Sequence, residues 1–84
     1  MIIRFEELRK LKDNLPHGGI KQIATELDID EQTVRNYFGG YNFTNGNYVG
    51  VHYEKGPNGG YVELDDDRIY EEARKLQQHE LSNA

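Results

Sequence analysis

The stretch from Ile20 to Phe38, IKQIATELDIDEQTVRNYF, constrains the fold more than any other part of the chain. Ile20, Ile23, Ala24 and Leu27 recur at steps of three, one and three, which places them on one face of a helix. Val34, Tyr37 and Phe38 resume a helical stripe after the interruption Asp28-Ile29-Asp30. Two short helices joined by a turn of about three residues are therefore expected. Ala24 is small enough to admit a neighbouring helix, while Lys21, Gln22, Thr25 and Glu26 point outward. Asp28 stands where a helix commonly ends in a left-handed residue, a geometry that Asp tolerates better than most side chains. Asp30 is an N-cap candidate whose carboxylate would accept from the amides of Gln32 and Thr33, and Glu31 adds negative charge at the positive end of the helix dipole. Gly39-Gly40 supplies the C-terminal stop.

On the N-terminal side, Phe5, Leu8, Leu11 and Leu15 form another helical stripe. Pro16 disfavours helical geometry at Leu15, so this first helix should end near Asn14, and the second should open at about Gly19 after Pro16-His17-Gly18. Downstream, Val49, Val51 and Tyr53 alternate with Tyr48, Gly50 and His52, and Val62 and Leu64 alternate with Tyr61 and Glu63. That two-residue period predicts two strands, with Lys55 to Gly60 as the turn and Asn58-Gly59 as its hairpin signal. The intervening segment YNFTNGNY reads as a loop in which Tyr41 and Phe43 pack against the third helix, with stacking on bases as their other use. A fourth helix follows Asp65 to Asp67, whose carboxylates suit its N-terminus; Ile69, Ala73, Leu76 and Leu81 form its stripe, with Tyr70 at the edge. Residues 82–84 should fray.

With 84 residues the chain has room for one domain, assigned to residues 1–81, and a domain of this size buries only about 60 to 65% of its unfolded surface. No cysteine is present, which excludes disulfides and thiolate metal sites and fits a reducing compartment. MIIRFEELRK lacks the apolar run of a signal peptide, and no stretch approaches the roughly 20 apolar residues of a membrane span. A cytoplasmic protein is expected.

The region around the two short helices resembles the bacterial helix-turn-helix regulators. The resemblance rests on Ile20 and Ile23-Ala24 in the first helix, Ile29 in the turn, and Val34, Tyr37 and Phe38 in the second, with Asp30 to Tyr37 similar to the start of many recognition helices. It departs at Asp28, where the family prefers Gly, and at Asp30-Glu31, where Ser and Arg or Lys are frequent. A hairpin after such a unit resembles the wing of winged-helix proteins. The fold class this implies is mainly α with a β-hairpin, an α+β winged helix-turn-helix in the order helix, helix, helix, strand, strand, helix. The function it implies is sequence-specific binding of double-stranded DNA by a small transcriptional regulator, with the helix at residues 30–38 in the major groove. Gln32, Thr33, Arg35 and Asn36 would read bases, since Asn and Gln pair with adenine and Arg with guanine. Lys21 with the amides opening the second helix, and Lys55 and Asn58 on the wing, would hold phosphate.

Charge complicates this picture. The net charge is −5, but residues 1–60 hold eight acidic and seven basic side chains, a net of −1, and residues 61–84 hold seven and three, a net of −4. The DNA-reading half is near neutral, with Lys21, Arg35 and Lys55 as its candidate phosphate contacts and Lys10 and Lys12 as further candidates beside them, so few counterions would be released and non-specific binding should be weak. Such weakness favours a homodimer or a partner protein. It also keeps open a rival use of the fold as a protein-interaction module without DNA contact. His17, His52 and His79 show no ligand spacing, and no phosphate-binding glycine loop is present. No enzyme, metal or cofactor is expected.

Overall fold

Ile2 to Arg4 open the chain as a strand, β1, that runs directly into the first helix, α1 (Phe5–Asp13). In the computed structural model, which describes residues 1–82 and side chains up to Gln78, α1 is followed by α2 (Gly19–Leu27) and α3 (Glu31–Phe38). Then come two two-residue strands, β2 (Phe43–Thr44) and β3 (Asn47–Tyr48), and two four-residue strands, β4 (Val51–Glu54) and β5 (Tyr61–Leu64). α4 (Arg68–Ser82) completes an α+β fold of four helices and a short antiparallel sheet. The side chains of His79 and Leu81 and residues 83–84 lie outside the described residues, while Ser82, expected to fray, is the last residue of α4. No described helix is long and apolar enough to cross a membrane.

The helices follow the periodicity that predicts them. Leu8, Leu11, Ile23, Ala24, Val34, Tyr37, Phe38, Ile69 and Ala73 are buried, and Leu15, Ile20, Leu27 and Leu76 pack at the edge of the same core. Each large side chain among these contributes about 1.5–3 kcal/mol on burial. Asn14 caps α1, and Asp28 caps α2 in the left-handed conformation at φ 54°, where its amide and that of Ile29 return to Thr25 and Ala24 carbonyls. The N-cap of α3 is Asp30, although its carboxylate accepts only from the Gln32 amide, at 3.5 Å.

The strand order corrects the expected one in two places. First, β1 forms the edge of a three-stranded sheet ordered β1-β5-β4, with Ile3 opposite Val62 and Tyr53 opposite Val62 from the other side. No strand is expected before the first helix, because three residues carry too little periodicity to be told from a frayed end. Second, β2 and β3 form a separate hairpin around Asn45-Gly46, whose φ values of 51° and 81° are both positive, as a type I′ turn requires. Residues 41–48 are thus structured by their own turn. The segment does lie against the end of α3, with the Tyr41 ring over Gly39, but the rings of Tyr41 and Phe43 are not buried there; they are 66% and 59% exposed.

The strand of the main hairpin also begins later than Tyr48, because Gly50 interrupts the alternation at φ 98°. Its carbonyl accepts from the amides of both Asp65 and Asp66, and a Cβ there would lie 2.5 Å from Asp66 Cβ. This junction brings the start of α4 against the end of α3. Tyr37, fully buried, donates its hydroxyl to the Asp66 carbonyl at 2.9 Å. The Asp66 carboxylate in turn accepts from the Arg68 amide at 3.1 Å, capping α4 as the acidic run predicts.

Candidate nucleic-acid interface

α3 presents two faces of opposite character. Val34, Tyr37 and Phe38 are wholly buried, whereas Gln32 and Arg35 are exposed and Thr33 and Asn36 half-buried. The four side chains singled out for base reading therefore lie away from the core. They are not equally free. Arg35 pairs with Glu31 one turn back, Nη2 to Oε1 at 3.3 Å, an exposed contact worth less than about 1 kcal/mol and easily exchanged for another anion. Gln32 donates from Nε2 to Asn36 Oδ1 at 2.9 Å. Asn36 donates from Nδ2 to Thr44 Oγ1 at 2.8 Å and to the Phe43 carbonyl at 3.3 Å. Asn36 is thus the tie between α3 and the small hairpin, and reading a base with it would require breaking that tie.

The small hairpin is the neighbour of α3 that sequence reasoning missed. Asn45-Gly46 was legible as a hairpin signal in its own right; Asn58-Gly59, flanked by longer strands, drew the assignment instead. The two-residue period of β2 turns Thr44 inward, 8% exposed, and Phe43 outward. Phe43 sits opposite Tyr48, with ring centroids 5.8 Å apart. Tyr48 donates its hydroxyl to the Asp65 carboxylate, and this bond, with lesser effects of burial and nearby carboxylates, pushes its ionisation up to about 12. The uncharged hairpin carries its aromatic pair beside the polar face of α3.

The three expected phosphate contacts are dispersed. Lys21 is exposed near the start of α2, a helix whose N-terminus has no side-chain cap. It lines a groove with Asp28, Asp30 and Glu31, so a phosphate arriving there meets three carboxylates. Lys55 is exposed at the end of β4. Asn58 lies in the hairpin tip, which folds back on α1 rather than reaching along α3: it shares a cleft with Phe5, Glu6 and Arg9. Two bonds hold the tip in that position, Phe5 amide to Gly60 carbonyl at 3.0 Å and Tyr53 hydroxyl to Gly59 carbonyl at 2.8 Å. From Gly19 to Gly40 the chain has Glu26, Asp28, Asp30 and Glu31 against Lys21 and Arg35, a net charge of −2.

Among the histidines, His17 is exposed in the turn before α2, and His52 lies between Asn42 Nδ2 at 3.2 Å and Glu54 Oε1 at 2.7 Å. The Asn42 contact ties the main sheet to the segment leading into the small hairpin. The chain matches no protein-family model, no curated protein and no solved structure.

Proposed function

We propose that this chain is a helix-turn-helix domain of the winged type that binds duplex DNA in a sequence-dependent way, as a small bacterial transcriptional regulator. The observation that carries the reading is α3 itself. It follows α2 after a three-residue turn, buries Val34, Tyr37 and Phe38, and leaves Gln32 and Arg35 exposed on one ridge. A solvated face selected for helix stability alone tends toward Glu, Lys and Ala; this one carries amides, a hydroxyl and a guanidinium, the groups that read base edges in the major groove. On this reading Arg35 and Gln32 are the primary base contacts, Thr33 lies at the rim, and Asn36 positions the hairpin. The β4–β5 hairpin would then serve as the wing, with Lys55 as its cation, although its tip leans on α1. Binding as a homodimer to paired half-sites would offset the low charge of one copy.

Selection of duplexes from a random DNA pool tests the reading, followed by binding measurements with Arg35→Ala and Gln32→Ala. Each should lose about 1–3 kcal/mol of specific affinity per base contact removed with an unchanged thermal midpoint. No enriched motif, or equal binding by both variants, would sink it.

One observation favours a second reading, contact with a protein instead of DNA. The turn between α2 and α3 is bordered by Asp28, Asp30 and Glu31, which repel phosphate. A pull-down that survives nuclease treatment and is abolished by charge reversal at Glu71 and Glu72 on α4 would support this alternative.

A further inference from the structure

The exposed ridge of α3 does not end at Arg35. Gln32, Arg35, Asn36 and Gly39 follow one another at helical spacing, so the ridge leads to the C-terminal end of the helix. There it opens into a cleft of about 250 Å³ between α1 and α3, lined by Arg9, Lys12 and Asp13 on one side and Phe38, Gly39 and Tyr41 on the other. Gly39 has an ordinary helical φ of −86°, so its backbone conformation does not require glycine. The space above it is taken up by an aromatic ring: a Cβ on Gly39 would stand 3.0 Å from two ring carbons of Tyr41, which would have to shift by a few tenths of an ångström. The Tyr41 ring lies over that bare backbone and stays 66% exposed.

Arg9 and Lys12 are exposed, and among the described residues no carboxylate is paired with either. Lys10, between them in sequence, is paired with Glu6 at 3.4 Å. Asp13 lies in the same cleft, so its local charge is one positive unit, in contrast to the acidic groove around Lys21.

We infer that Arg9 and Lys12, with Tyr41 beside them, are the principal phosphate contacts of this domain on duplex DNA. This inference rests on the DNA-binding reading of α3 and moves its electrostatic anchor from the start of α2 and the hairpin tip to α1. A recognition helix meets base edges with its N-terminal residues, and the eight residues of α3 carry its C-terminal end about 12 Å away from them at 1.5 Å per residue. A helix reading bases at Gln32 and Arg35 then has a bounding sugar-phosphate strand near Gly39, within reach of the two cations. The exposed Tyr41 ring would lie against the sugar, and its hydroxyl is a donor to phosphate.

Binding of the intact chain to duplexes from the random pool, titrated at several salt concentrations, tests this. Removing two phosphate contacts lowers the slope of log K against log salt by about 1.8, at 0.9 per contact. Arg9→Ala with Lys12→Ala should produce that fall with the preference among sequences unchanged. Asp13→Asn should tighten binding in low salt. A double variant whose slope equals that of the native chain would overturn the inference and leave the base-reading role of α3 standing. Failure of the native chain to bind any duplex would overturn both. If the double variant lost its cooperative thermal transition, Lys12→Gln alone would carry the test with half the slope change.

Discussion

Asn36 and Thr44 are joined side chain to side chain at 2.8 Å, and this bond fixes the small hairpin against the end of α3. Thr44 is buried, and among the described residues Asn36 is the one side chain that its hydroxyl bonds. Asn36→Ala should cost about 1–2 kcal/mol through the unsatisfied hydroxyl, and Thr44→Val should cost less. A double-mutant cycle in urea should return a coupling of roughly 1 kcal/mol; simple additivity would mean that the hairpin is held by its own turn alone.

If α3 reads duplex DNA as proposed, Glu31, paired with Arg35 at 3.3 Å, competes with the DNA for that guanidinium. Replacing it by Gln removes a carboxylate from the edge of the reading ridge and frees the guanidinium. The lost exposed pair costs less than about 1 kcal/mol of stability. Affinity for duplex should rise by a comparable amount, seen by fluorescence anisotropy as a lower dissociation constant. A fall in affinity would place Arg35 outside the interface.

Gly50 cannot carry a side chain. Its positive φ and the 2.5 Å approach of a Cβ to Asp66 add left-handed strain to a steric clash. Gly50→Ala should therefore destabilise by about 2 kcal/mol or more, since strained φ/ψ alone costs about 1–3 kcal/mol. Gly46→Ala, with nothing near its Cβ, should cost only about 1–2 kcal/mol for its left-handed φ. Thermal melts of the two variants test this ranking.

Alkaline pH should unfold the domain through its tyrosines. Burial raises the Tyr37 phenol well above its usual value of 10.0, with the Asp66 and Asp67 charges adding to it, and Tyr48 is pushed up to about 12. Both ionise more readily in the unfolded chain, so the stability they confer is complete below pH 10 and is lost as pH rises above it. The loss is at most about 1.4 kcal/mol per pH unit for each such group, and less for the exposed Tyr48. The midpoint of urea unfolding, followed from pH 9 to about 11.5, should fall steeply in the native chain and more gently in Tyr37→Phe. Equal slopes would mean that the phenol ionises without unfolding.

Much of this architecture was legible residue by residue. The helical stripe of Phe5, Leu8 and Leu11, the end of α1 at Asn14, the left-handed Asp28 and the cap at Asp30 are local matters, set by side chains within a few positions of one another. The outward placement of Gln32 and Arg35 followed from the same period of 3.6. The Asn45-Gly46 hairpin was also within reach, since its dipeptide is a local signal. Strands of two residues offer no alternation to count, so by period alone the segment reads as a loop.

What the amino-acid order determined on its own was the set of helices and the inward side of each, because capping and amphipathic spacing act over a turn or two. The tertiary structure alone decided that Ile2 to Arg4 pair with residues some sixty positions away, that Asn36 is spent on Thr44, and that Arg9 and Lys12 share a cleft with Tyr41. These relationships depend on how separate elements dock, and docking is set by the summed burial and hydrogen bonding of the whole core, which no short window of sequence contains.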